Sequence, residues 1–234
     1  MSEKYNCLNF RFLNLRTIHK SIERMQNTAK QVAEYLLQIK AIKLEPTNPF
    51  TWASGWKSPI YCDNRKTLSF PEVRTYIKKA FAQAVKEKYP NVEVIAGVAT
   101  GAIALGALVA EELNLPMVYI RSSAKAHGMT NLIEGEIKAG QTVVVIEDLI
   151  STGGSSIKAV EALREANCDV LGMLAIFTYG FQKADDNFTN ANCKVDTLSD
   201  YNVMIDRAQE IGYVKTEDVD QLKKWRKDPG SWGV

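Results

Sequence analysis

Few residues in this 234-residue sequence announce a chemistry by abundance. It holds four cysteines, two histidines and seven prolines, and its 29 basic and 27 acidic residues leave a formal charge of only +2. So small an excess gives no argument from charge alone for a general affinity for nucleic acid or a membrane surface, and any anionic partner must be recognised locally. Cys7, Cys62, Cys168 and Cys193 form no CxxC pair and have no histidine pair nearby. That argues against zinc and against a disulfide framework, and for a reducing, cytoplasmic compartment. The longest uncharged run, 94–110, has 17 residues, short of the ~20 that a membrane span needs. Gly97, Thr100, Gly101 and Gly106 interrupt it, so a buried strand, loop and helix is the better reading. Asn, Arg and Thr break up the region 7–22, and no secretory signal is present there.

What remains is the composition of a soluble globular chain, 46% hydrophobic and 24% charged, without internal repeats. Its length suits one large domain or two small ones. Residues 1–24 form a basic leader with Lys4, Arg11, Arg16, Lys20 and Arg24, set apart from the fold argument. A transit peptide would have fewer acids than Glu3 and Glu23 supply, and more than three Ser or Thr. After Met25 a helix is expected, capped by Asn27 or Thr28, with Val32, Leu36 and Ile39 on one face. Residues 50–63 read as a hairpin, with aromatic residues on either side of Ser54-Gly55. Residues 71–88 carry a helical period in Val73, Ile77, Ala80, Phe81 and Ala84. Apolar strands at 92–98, 117–120, 142–146 and 170–177 alternate with helices at 102–113 and 156–166, and two short helices lie near 200–211 and 217–227. Alternation of that kind predicts an α/β fold with a central parallel sheet covered by helices on both sides.

The most informative stretch is Val143-Val144-Val145-Ile146-Glu147-Asp148-Leu149-Ile150-Ser151-Thr152-Gly153-Gly154-Ser155. Two carboxylates stand at the C-terminal end of a strand, where ligands of open α/β sheets bind. A Ser, Thr and Gly loop then opens into a helix, whose first N–H groups and positive dipole end suit a phosphate. Carboxylates beside a phosphate repel it unless they face something else, such as sugar hydroxyls or a magnesium shell. No GxxxxGK[ST] is present, and no GxGxxG follows a strand. Instead, residues 143–155 closely resemble the phosphoribosyl pyrophosphate (PRPP) signature of the type I phosphoribosyltransferases. A second segment, Arg121-Ser122-Ser123-Ala124-Lys125-Ala126-His127-Gly128, resembles the catalytic loop of the orotate phosphoribosyltransferase family, and residues 50–65 are similar to that family's N-terminal substrate segment. Three ordered matches cover 50–156, and the resemblance implies a single domain over 25–234.

The resemblance implies a type I phosphoribosyltransferase fold with a small hood built from about 25–65 and the C-terminal part. It also implies a reaction: orotate and PRPP give orotidine 5'-monophosphate and pyrophosphate, with Mg²⁺, in pyrimidine synthesis. Carried over by position, Lys125, His127 and Asp148 are the catalytic set. PRPP would meet Arg121, Lys125, His127, Glu147, Asp148, Leu149, Ile150, Ser151, Thr152, Gly153, Gly154 and Ser155, with Glu147 and Asp148 facing the ribose hydroxyls and Ser151 touching orotate. Lys57, Arg65 and Thr100 are weaker candidates, Thr100 through the sequence 97–102, which looks like the family's pyrophosphate loop. Mg²⁺ is expected to be carried mainly by PRPP, without a dedicated protein ligand set. The family further implies a homodimer whose loop reaches the partner's active site, with neither nucleic acid nor membrane as partner. His19 is assigned nothing.

Departures from the family pattern matter as well. Ala53 and Ser122 stand where many members carry lysine, and residues 178–183 contain no arginine where many members hold the orotate carboxylate. A phosphoribosyltransferase for another base, such as a purine, and a PRPP-sensing regulator on the same fold are the competing readings. The presence of Arg121, Lys125 and His127 argues against the regulator.

Overall fold

The computed structural model describes residues 3–52, 55–123 and 132–232, with side chains from Lys20 onward. Helix α1 (Glu3–Gln38) comes first, then strands β1 (Ile42–Leu44), β2 (Phe50–Thr51), β3 (Lys57–Ser58) and β4 (Ile60–Cys62), and a 3-10 turn over Asn64–Ser69. Helix α2 (Pro71–Lys88), strand β5 (Val94–Val98), helix α3 (Ile103–Leu113) and strands β6 (Met117–Ile120), β7 (Ile133–Glu134) and β8 (Thr142–Ile150) follow. Helix α4 (Gly154–Glu165), strand β9 (Asp169–Thr178), helix α5 (Gln182–Asn190), strand β10 (Val195–Asp200), and helices α6 (Tyr201–Glu210) and α7 (Thr216–Lys227) complete the chain.

The six-stranded sheet runs β10-β9-β8-β5-β6-β7, parallel except for the edge pair β6 and β7. Strand residues alternate between faces, and both faces here are apolar. Val144 and Ile146 pack with α1, α2 and α3, whereas Val143 and Val145 pack with Ala159, Val160 and Leu163 of α4 and with Phe188 of α5. Full burial of such side chains stabilises the fold by roughly 1.5–3 kcal/mol each. The expected parallel sheet covered on both sides is therefore present.

The hood joins the two ends of the chain. β1 pairs with β4 and β2 with β3, so 50–51 and 57–58 pair as the expected hairpin while 60–62 pair elsewhere. Against these strands pack Trp225 of α7 and Tyr179, with Trp52 5.2 Å from the Tyr179 ring and 5.6 Å from Trp225. Arg207 of α6 binds Glu34 of α1 at 2.5 Å, and the Ser199 hydroxyl donates to the Ala29 carbonyl at 2.9 Å.

Several elements differ from expectation. The first helix does not begin at Asn27 or Thr28: both lie inside α1, because no Gly or Pro interrupts the chain before Pro46 and a capping residue alone does not stop a helix. Strand β8 continues four residues beyond Ile146, carrying Glu147 and Asp148 within the ladder, where Glu147 pairs with Ala175. Helix α5 and strands β1, β7 and β10 add to the elements expected; α5 buries only Ala184 and Phe188, one turn apart.

Candidate active site

The segment after β8 turns tightly into α4. Gly153 holds φ +79°, a conformation costly for other residues, and a β-carbon there would also overlap the Phe188 ring. The Thr152 carbonyl accepts from the Asn187 amide at 2.9 Å, fixing the loop from α5. Ser151 and Thr152 are half-buried, Gly154 and Ser155 exposed, and Ile150 buried. Among the described residues no side chain caps α4. Its first N–H groups are thus left for a ligand, and the positive end of the helix dipole makes that ligand an anion.

The adjacent acids are divided by the pleat. Glu147 continues the Val143 and Val145 face towards α4; its Oε2 accepts from the Ser156 hydroxyl at 2.8 Å and its Oε1 from the Asp148 N–H at 3.0 Å. It is 4% exposed, and burial, then the neighbouring Asp148 charge, raises its carboxyl well above the usual range. Asp148 continues the Val144 and Ile146 face, with its carboxylate against Gly101. Burial raises its carboxyl too, and the Arg65 charge opposes that. The Asn64 amide, itself buried, donates to the Asp148 carbonyl at 2.6 Å, and the Cys62 thiol donates to Asn64 Oδ1 at 3.2 Å.

A cleft of about 390 Å³ opens over Asp148, lined by Asp63, Arg65, Thr100, Glu147, Leu149 and Ser155 among others. The peptide between Ala99 and Thr100 on its floor is cis. Arg65 Nε binds Asp63 at 2.7 Å, which lowers the Asp63 carboxyl. A second cleft of similar size holds Arg121, Ser122 and Lys158, and Val98, Ala99 and Ser155 border both. Arg121 Nη1 is buried, 3.6 Å from Glu134 and without a hydrogen bond among the described residues. The Arg121 N–H donates to the Leu132 carbonyl at 2.9 Å, so the loop leaves and returns at one point. Lys125 and His127 lie outside the described residues.

The structure thus gathers Arg65, Thr100, Asp148, Leu149 and Ser155 around one cleft and sets Arg121 beside it. Glu147 borders the cleft with both oxygens already engaged. Lys57 belongs to the hairpin, where its ammonium donates to Thr51 Oγ1 at 2.8 Å. No sequence pattern points to a role for Asn64, Asp63 or Lys158. Asn64 and Asp63 lie inside the segment 50–65 that resembles the family's substrate segment, but no local pattern shows that an amide will reach 84 residues along the chain. A larger cavity of about 620 Å³ lies between α1, α2, β10 and α6. Its charged rim is already paired, Arg24 with Glu87, Lys30 with Glu210 and Lys88 with Asp196.

Comparison with known proteins agrees with this geometry. Residues 67–206 match the phosphoribosyl transferase domain. The chain is 58% identical over 210 residues to the orotate phosphoribosyltransferase of Porphyromonas gingivalis, covering 90% of this chain and 100% of that protein. It is 60% identical over 208 residues to that of Phocaeicola vulgatus, covering 89% and 98%. The crystal structure of orotate phosphoribosyltransferase from Aeropyrum pernix superposes with a TM-score of 0.69 at 24% identity, covering 79% of this chain and 99% of that one, a likeness of fold. A domain match over more than half the chain, and near-60% identity along almost all of two relatives, leave one assignment: the chain belongs to the orotate phosphoribosyltransferase family.

Proposed function

We propose that the chain transfers the 5-phosphoribosyl group of PRPP to orotate, releasing pyrophosphate and forming orotidine 5'-monophosphate, a step of pyrimidine synthesis. One observation carries this reading. The Asp148 carboxylate sits in a cleft beside a helix N-terminus that no described side chain caps, so a sugar phosphate can place its phosphate on residues 151–155 and its ring over the acid. Breaking the bond from C1 to pyrophosphate builds positive charge on the ring and negative charge on the leaving group. Asp148 would stabilise the first. Arg121, with Lys125 and His127 of the same loop, would supply cations for the second. Closure of that loop over bound substrate would keep water from the activated ribose.

Among the described residues no three potential ligands converge as a metal site, and the carboxylates at the cleft are Asp63, Glu147 and Asp148. Magnesium keeps several waters and binds through one or two carboxylates plus substrate phosphates, which this set fits. When bound with PRPP, Mg²⁺ would offset the anionic charge of pyrophosphate. Asp148 and Asp63 are the residues we assign to its shell. A homodimer in which the loop serves the partner's site completes the reading. A cytoplasmic location accords with the free thiols Cys62, Cys168 and Cys193. Among the described residues no helix is long and apolar enough to cross a membrane.

The test follows loss of orotate absorbance with PRPP and Mg²⁺, with adenine and guanine as alternative bases. Consumption of orotate alone is the expected result; turnover of a purine and not orotate overturns it.

A further inference from the structure

Helix α7 reaches the segment that follows the C-terminal end of β9. Arg226 of α7 donates from Nε to the Tyr179 carbonyl at 3.1 Å and from Nη2 to the Gly180 carbonyl at 2.9 Å. A side chain on Gly180 would overlap that guanidinium, so its absence admits the clamp. The clamped segment follows β9 and is tied to the phosphate loop, because the Tyr179 N–H donates to the Ile150 carbonyl at 3.2 Å. Next to Arg226, the fully buried Trp225 donates from its indole N–H to the Lys57 carbonyl at 3.3 Å, and its ring lies 5.6 Å from Trp52. Helix α7 therefore grips both the hairpin and the segment after β9.

Strand order says which half of the substrate meets this wall. The segment after β9 flanks β8 on one side, and residues 99–101 after β5 and Arg121 after β6 flank it on the other. With ribose over Asp148 and pyrophosphate towards β5 and β6, the incoming base lies towards β9 and the hairpin. We infer that Arg226 is a positioning residue for the base: it fixes the Tyr179–Gly180 wall and brings a permanent positive charge beside the place where an anionic base docks. This rests on the proposed reaction.

The experiment compares wild type, Arg226→Gln and Arg226→Lys for KM of each substrate, with PRPP binding measured separately by calorimetry. Loss of the clamp should raise KM for orotate about tenfold and leave PRPP affinity within about twofold. Lysine keeps the charge but not the two-pronged geometry, so its KM for orotate should fall between the other two. Unchanged KM for orotate, or a parallel loss of affinity for both substrates, overturns the inference. So does failure of both variants to fold, since Arg226 would then be structural. If wild type turns over a purine instead of orotate, the proposed reaction fails on its own. The KM of whichever base is used then still decides the role of Arg226.

Discussion

The Asn64 amide donates to the main-chain carbonyl of Asp148 at 2.6 Å, across 84 residues of chain. The turn that ends the hood is thereby bonded to the residue that carries the candidate acid, not to its carboxylate. The carboxylate lines the cleft while its backbone is held. Asp148→Asn should therefore keep the fold, with stability changed by less than ~1 kcal/mol, and lose most activity. Asn64→Ala leaves a carbonyl unsatisfied and should cost about 1–3 kcal/mol. Urea unfolding beside the orotate assay checks both; an Asp148→Asn chain with full activity would refute the assigned role.

Glu147 sets a pH dependence whose sign follows from burial. Its carboxyl is raised in the folded state, chiefly by burial and then by Asp148, so the folded chain holds that proton more tightly than the unfolded one. The resulting stability is fully present below the ordinary glutamate value of ~4.3 and is lost as pH climbs towards the raised folded value. Glu147→Gln has no proton to lose, so its thermal midpoint should decline less than wild type as pH rises from mildly acidic to above neutral. Parallel melting curves would show that the acid is not buried as described.

Removing residues 1–24 should leave a soluble, active chain. Ile22 and Met25 are 49% and 48% exposed, whereas the deeply buried part of α1 begins at Val32. The deletion breaks the Arg24–Glu87 ion pair, which is exposed enough to contribute at most ~1 kcal/mol. Aggregation of the shortened chain would mean that the leader belongs to the core.

Mixing two inactive chains tests the shared active site. If Lys125 and Asp148 of one site come from different protomers, a heterodimer of Lys125→Ala and Asp148→Asn chains has one doubly damaged site and one intact site. Random exchange makes about half the dimers mixed, so activity should return to roughly a quarter of wild type. Demonstrated exchange without recovery places the loop over its own site.

Much of this arrangement was legible in the chain. The valines of 143–145 and the glycines at 153–154 fixed a strand, a loop and a helix N-terminus because each acts locally, through side-chain period or backbone freedom. Where local signals conflict, reading failed. The polar Glu147 and Asp148 hid the last four residues of β8, which pairing with β9 sustains. Asn27 and Thr28 suggested a cap that an unbroken helix overrides. The roles of Asn64 and Arg226 rest on partners far away in sequence, and no window of neighbouring residues contains them.

The alternation of β8 also limits how this sequence can change in length. Dropping or adding one residue between Thr142 and Ile146 would exchange the two acids, turning Asp148 towards Ser156 and Glu147 towards Gly101. A two-residue change would restore the faces but slide the acids about 6.6 Å along the strand, off their bonds to Asn64 and Ser156. Strand β8 can exchange one apolar side chain for another, whereas its residue count is pinned from both ends.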